Sequence, residues 1–221
     1  VITNISEAHI ENFNSLHDIA KAKAEIVDNI PKNGNIILNK NSKFFRFFYN
    51  KAKKKGIKVI SFGRSRNSDI FLSNIKKYKN YYRLKVFIKN RVFYFNTKYS
   101  QNNFVNNFLA CITIMFILDL NLNKMKKKFI DFIIPEGRGD IKIIKKFNKR
   151  FKFIDESYNA NPLSMMSAIK NMKYYKGSKN NRKLVFLGDM LELGKKSKKL
   201  HRELSVAINR SSVDKVFVYG K

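Results

Sequence analysis

A chain of 221 residues is long enough for one large domain or two small ones, and a content of 44% hydrophobic and 14% aromatic residues excludes a disordered polymer. The single cysteine, Cys111, excludes an internal disulfide and fits a reducing cytoplasm. The net charge of +30, from 46 Lys and Arg against 16 Asp and Glu, would suit a nucleic-acid binder. However, the excess is mostly lysine, spread along the chain among many asparagines, and reads as compositional bias on solvated faces with no nucleic-acid partner.

The chain opens on Val1-Ile2-Thr3-Asn4 with no basic leader or signal-like segment. Residues 1–5 form a short β-branched run, and 16–30 have helical spacing. A strand over 35–38 is followed by a helix over 42–55 with a lysine-rich outer face, ended by Gly56. Strands are then predicted over 57–62, 69–75, 81–88 and 91–96. The last two are separated by Lys89-Asn90, a hairpin-like break. A buried helix over 102–120 holds the longest apolar stretch, 108–118, and Cys111 is expected to pack there. That stretch is far short of the ~20 residues a membrane span needs. An amphipathic helix is predicted over 125–132.

Pro135-Glu136-Gly137-Arg138-Gly139 is the clearest break, and a domain boundary is placed there, dividing the chain into 1–134 and 135–221. Beyond it a strand runs to residue 154 and a helix starts at Pro162. Leu184–Leu187 is a strand, a helix begins near Ser197, and 216–219 is a last strand. Strands alternating with helices imply an α/β fold with a doubly wound parallel sheet, here of about three strands.

Three constellations carry the chemistry. In the first, residues 3–13 leave a strand end in a polar loop bearing His9, where α/β folds place ligands, and Lys23 follows in an alanine-lined helix. The second is Asp155-Glu156-Ser157-Tyr158-Asn159-Ala160-Asn161-Pro162, in which two acids leave a strand and Asn161 caps the next helix with Pro162 in its first turn. Acids, hydroxyls and amides at a strand end suit a ribose or an ammonium group. The third is Gly188-Asp189-Met190-Leu191-Glu192-Leu193-Gly194, followed by Ser197 and His201-Arg202-Glu203. Taken alone, it reads as a turn and a helix cap.

Together, the strings TNISEAHIENFNSLHDIAKAKAEI, PEGRGD, DESYNANPLSM and LGDMLELG…S..LHRE resemble the Mur ligases, in order and across nearly the whole chain. DESYNANP and LGDMLELG are similar to the branch that joins D-alanyl-D-alanine to UDP-N-acetylmuramoyl-tripeptide in peptidoglycan precursor synthesis. The resemblance implies part of a P-loop-type central ATPase domain, with a mostly parallel sheet, followed by part of a Rossmann-like C-terminal domain. It also implies ATP and Mg2+ as cofactors, a cytoplasmic monomer, and an acyl phosphate attacked by the dipeptide amine. His9 then becomes a magnesium residue. Lys23 becomes the lysine that such enzymes carbamylate, a change that turns a cation into an oxygen ligand; Lys21 is its rival. Asn103 and Asn106, in a stretch similar to the family's HNxxN helix, would face adenine, although Asn102 stands where the family has His. Arg138 resembles the hinge arginine that reaches the ATP phosphates. Glu156, beside Asp155, resembles the ribose contact, and Tyr158, Asn159 and Asn161 would lie near the nucleotide or the incoming dipeptide.

Nothing in the chain reads GxxxxGK[ST]. In this family that loop, a magnesium-binding glutamate and the domain holding the UDP-sugar lie upstream. The 221 residues are therefore expected to be an internal piece without ATP turnover of its own. Competing readings are a sibling ligase adding a single amino acid, a folylpolyglutamate-type ligase, a degenerate pseudo-ligase and a basic nucleic-acid binder. The last predicts exposed aromatics among Arg and Lys, whereas the aromatics here fall at spacings that suit a core.

Overall fold

The computed structural model describes residues 1–7, 10–126, 128–175 and 181–220. The chain folds as two compact units, residues 1–5 with 17–132 and residues 6–16 with 133–220.

The first unit is built on a five-stranded mixed sheet, β1 (Asn35–Asn39), β2 (Lys58–Gly63), β3 (Ile70–Lys77), β4 (Tyr82–Ile88) and β5 (Arg91–Thr97), in that spatial order. β1 and β2 run parallel, joined through helix α2 (Phe45–Lys54), with helix α1 (Leu16–Asp28) before them. Ile2 adds a parallel bridge to Leu38. Only Phe62 and Gly63 of β2 pair with β3, on Ile70 and Phe71. The staggered overlap lets the short loop 64–69 connect two parallel strands, where a full crossover would need a dozen residues or more. Asp69 holds that loop closed by accepting from the amide (2.8 Å) and hydroxyl (2.6 Å) of Ser61.

The sheet expected to be mostly parallel thus turns mixed at β3, because β4 and β5 return as antiparallel hairpins. Lys89 and Asn90 make the β4–β5 turn with φ of 41° and 64°, the paired left-handed geometry that matches strand twist. Helix α3 (Asn102–Ile117) packs Val105, Phe108, Leu109 and Ile112 on Leu84, Val86, Ile88 and Phe95 of the sheet's inner face. Cys111, expected in the core, lies on the opposite side of α3 and is exposed. Its neighbours are buried because the stripe of buried residues follows the helical period and skips it. The helix predicted over 125–132 is instead the single turn α4 (Leu122–Met125), started by Asn121, whose side chain accepts from the amides of Asn123 and Lys124. Phe129 beyond it meets Phe95 and Phe108 edge to face, at 5.7 and 4.8 Å.

In the second unit, β6 (Asp140–Lys146) and β7 (Lys149–Asp155) form an antiparallel hairpin. The strand ending near residue 154 therefore pairs back on its predecessor, and the expected three-stranded parallel sheet is not formed among the described residues. Its turn, Phe147-Asn148, has both residues at φ 53°. Helix α5 (Pro162–Asn171) follows, then β8 (Leu184–Leu187), helix α6 (Ser197–Asn209) and β9 (Lys215–Val218), with β8 and β9 parallel. Among the described residues, no helix is long and apolar enough to cross a membrane.

Candidate functional site

The densest group of predicted site residues lies in the second unit, where two motifs separate in sequence become one structure. The 135–139 strap wraps the end of β7. Gly137 (φ 72°) donates to Asp140 Oδ1 at 2.9 Å and accepts from the Tyr158 amide at 3.0 Å, while Gly139 (φ 93°) donates to the Asp155 carbonyl at 2.6 Å. A Cβ on Gly137 would stand 3.1 Å from both the amide nitrogen and the Cβ of Tyr158, and one on Gly139 would stand 3.1 Å from Glu156 Oε1. Glycine is required at both positions by conformation and by close approach. The result is that Arg138, between them, lays its guanidinium 3.9 Å above the ring of Tyr158. Both side chains are otherwise exposed, and the contact fits a cation–π stack.

Beneath the strap, Asp155 accepts from the Ser157 amide at 3.0 Å. Hydrogen bonds from Ser157 hold its carboxyl below the usual aspartate range. Glu156 behaves oppositely. The residue is exposed overall, but its carboxyl end is pressed against Gly139. Loss of water there, then the charges of Asp155 and Asp140, raise its pKa above the usual glutamate range. Adjacent acids are thus driven apart, one kept ionised and the other made reluctant to ionise.

Asn161 caps α5 as expected. Its Oδ1 accepts from the Ser164 amide at 2.9 Å, and the Ser164 hydroxyl accepts from the Asn161 amide at 3.0 Å, a closed capping box. Its oxygen is thereby committed to the helix, so only its NH2 end is left to address a ligand. Asn159 is exposed.

No local signal joins the first and third constellations, yet residues 10–14 and 190–196 pack together in this unit. Residues 10–12 form a 3-10 turn with Ile10 buried. Glu11 donates to the Glu192 carbonyl at 3.1 Å, Lys196 reaches the Asn14 carbonyl at 3.2 Å, and a Cβ on Gly194 would touch Glu11 at 3.0 Å. Met190 and Leu193 are buried in the same loop. His201 accepts from the Met190 amide through Nε2 at 3.1 Å, while Nδ1 faces the Ser197 carbonyl at 2.9 Å, so the neutral Nδ1–H tautomer satisfies both contacts. His9 lies outside the described residues.

In the first unit, Lys23 of α1 falls one turn from Ile19 and one turn from Val27. Both of these are buried, yet Lys23 is exposed, so the packed stripe of the helix opens to solvent at this lysine. Lys21 points elsewhere and pairs with Asp18 at 3.5 Å. Asn103, exposed, and Asn106, half-buried, stand one turn apart at the start of α3, where two amides can address one purine edge. Sequence reasoning missed the residues beside them. Arg64, just after β2, donates its amide to Asn41 Oδ1 at 2.7 Å and its guanidinium to Asn102 Oδ1 at 2.8 Å. Asn39, buried at the end of β1, fixes both the Asn41 amide at 2.9 Å and the Thr3 carbonyl at 3.0 Å. The signal available was position: Asn39 ends β1 and Arg64 directly follows β2, both at the carboxyl edge of a parallel pair, where such folds bind ligands.

The amides of Asn103 and Asn106, one turn apart, offer the donors and acceptors that a nucleotide base needs. A hard divalent ion is a different matter, since it needs several oxygen donors. Among the described residues no group of three or more His, Cys, Asp or Glu could hold a metal ion, and an unmodified Lys23 offers no oxygen.

The chain thus holds two α/β units with amides and acids at strand-to-helix turns, and a Gly-Arg-Gly strap follows the junction between them in sequence. The chain belongs to the Mur ligase family: the Mur ligase middle domain matches residues 1–115, and the Mur ligase, glutamate ligase domain matches residues 141–221. It is similar to the UDP-N-acetylmuramoyl-tripeptide–D-alanyl-D-alanine ligase of Rickettsia prowazekii, with 34% identity over all of this chain and 48% of that protein. Among solved structures, it resembles MurF from Acinetobacter baumannii, with a TM-score of 0.85 and 25% identity over 99% of this chain and 46% of that one. MurF from Thermotoga maritima in complex with ADP shares the fold, with a TM-score of 0.80 and 22% identity over 98% of this chain and 47% of that one. The chain spans about half the length of the relatives it matches.

Proposed function

We propose that this chain belongs to an ATP-dependent ligase, active in the cytoplasm as a monomer, that joins D-alanyl-D-alanine to UDP-N-acetylmuramoyl-tripeptide. The observation that carries this reading is the ordered match of both family domains across the chain, with the strap arginine and the acidic pair gathered on one site. Residues 1–134 serve as the central domain and 135–221 as the C-terminal domain.

ATP supplies the phosphoryl group that activates the peptide carboxylate. The chain's own residues then have distinct tasks. Asn103 and Asn106 hold the base edge by their amides. Arg138 presents a planar fork to phosphate oxygens, and its stack on Tyr158 limits the directions from which it approaches. Asp155, kept ionised by Ser157, accepts from ribose hydroxyls together with Glu156. Tyr158, Asn159 and the amide of Asn161 line the side from which the dipeptide amine enters. Lys23, as a carbamate, and His9 would hold Mg2+, which would supply positive charge to the phosphoryl oxygens.

The test is phosphate release by the natural full-length protein with UDP-N-acetylmuramoyl-tripeptide and ATP. Release that depends on D-alanyl-D-alanine is expected, and release with single amino acids in its place would overturn the assignment. Lys23→Ala should lower the rate by at least a hundredfold, with partial recovery on adding short carboxylic acids. Full activity without added acid would remove the carbamate role.

A further inference from the structure

The inner face of β3–β4–β5 is core, but the outer face is unlike any surface that compositional bias alone would draw. Pairing registers align Phe71 with Phe87, and Lys76 with Arg83, across β3 and β4, and Lys85 with Tyr94 across β4 and β5. Leu84, Val86, Ile88 and Phe95 take the alternate, buried positions, so these six side chains share the opposite face. Phe71 and Phe87 are stacked at 4.8 Å and 2°, with the Lys85 ammonium 5.4 Å from the Phe87 ring. Tyr94 is 51% exposed. At the end of the sheet the Tyr78 and Tyr81 rings stack at 4.8 Å, and the Arg83 guanidinium lies 5.0 Å from the first and 5.8 Å from the second. Residues 70–98 contain eight Lys and Arg and no Asp or Glu.

We propose that this face binds single-stranded nucleic acid. Cations alternating with rings on an open sheet supply what such a strand needs, charge for its phosphates and flat apolar surfaces for its bases. Lys76, Arg83 and Lys85 face the phosphates. Tyr94 and the Phe71–Phe87 pair take the bases. An anionic bilayer would also meet the charge, but it would call for apolar tips that can insert. The turns flanking β4 are Lys79-Asn80 and Lys89-Asn90, and the rings lie flat against one another and under cations. Arg83 is further oriented by Asn96, whose Oδ1 accepts from its Nε at 3.2 Å.

The experiment is fluorescence anisotropy of labelled oligo(dT), about 20 nucleotides long, with the 221-residue chain. Three phosphate contacts predict a log–log salt slope of about −2. Lys76→Glu with Lys85→Glu should weaken binding at least tenfold. A charge-matched control, Lys53→Glu with Lys54→Glu on the exposed side of α2, should change it less than twofold. Tyr94→Ala should weaken oligo(dT) about fivefold and leave an abasic strand of equal length unchanged. Lys76→Ala, an exposed truncation that adds no charge, repeats the test without risk to the fold. Equal losses in the two Glu pairs would mean whole-molecule charge and would overturn the proposal. Equal affinity for oligo(dT) and the abasic strand would do the same, as would binding to phosphatidylglycerol vesicles in preference to oligo(dT).

Discussion

At the scale of single residues, the strap and the acidic pair make the sharpest claims. Gly137 holds a left-handed conformation with no room for a side chain, so Gly137→Ala combines backbone strain with a clash against Tyr158. It should lower the stability of the second unit by about 1–3 kcal/mol, read as a lower urea midpoint, and should release Arg138 from the ring. Glu156 gives a pH signature. Its folded pKa is raised, so the folded state binds that proton more tightly than the unfolded state does. The associated stability is present below the ordinary glutamate pKa and is lost as pH rises through the raised folded value. Glu156→Gln should therefore melt at or above the parent temperature at neutral pH, the gap closing as pH falls into the ordinary glutamate range. A gap that widens on acidification would contradict the assignment. Asp155 works with the opposite sign, its contribution being present above the ordinary aspartate pKa and lost on acidification.

At the scale of elements, turns decided what pattern could not. Residues 140–155 could be read as a single strand feeding a parallel sheet, because apolar and basic residues alternate on both sides of residue 147. Phe147 at φ 53°, 81% exposed, is what folds them into a hairpin, and a bulky aromatic in that region is strained. Phe147→Gly should keep the hairpin and stabilise the second unit by about 1 kcal/mol, measured by thermal or urea unfolding; destabilisation would mean that the ring carries a contact of its own. Elsewhere the chemistry of the local sequence was enough. Asn161-Pro162 marked the start of α5 to the residue, and Lys89-Asn90 marked the β4–β5 turn. The helix expected over 125–132 failed for the converse reason. Its amphipathic spacing competes with the Asn121 cap and with the docking of Phe129 on Phe95 and Phe108, and both favour a shorter turn.

At the scale of the whole molecule, charge is the dominant quantity. At +30, self-repulsion opposes the compact state, and the few ion pairs among the described residues lie mostly at the surface, where each contributes little. Raising NaCl from about 20 to about 300 mM shortens the screening length severalfold. It should raise the melting temperature, whereas a chain held together by ion pairs would lose stability.

The sequence by itself determined the α/β class, the positions of most strands and helices, and the family, because these rest on local signals: hydrophobic period, caps, turn residues and long ordered strings. It also placed Asn103 and Asn106 on one helical turn, since a spacing of three on a helix leaves little choice. Only the tertiary structure decided what lies beside what. It joined Arg138 to Tyr158 and residues 10–14 to residues 192–196, tied Arg64 to Asn102, and set a row of rings and cations on the far side of a sheet from the core. Contacts between distant segments depend on strand order, register and the hand of each turn, and a one-residue change in any of them would send the same side chains to the other face.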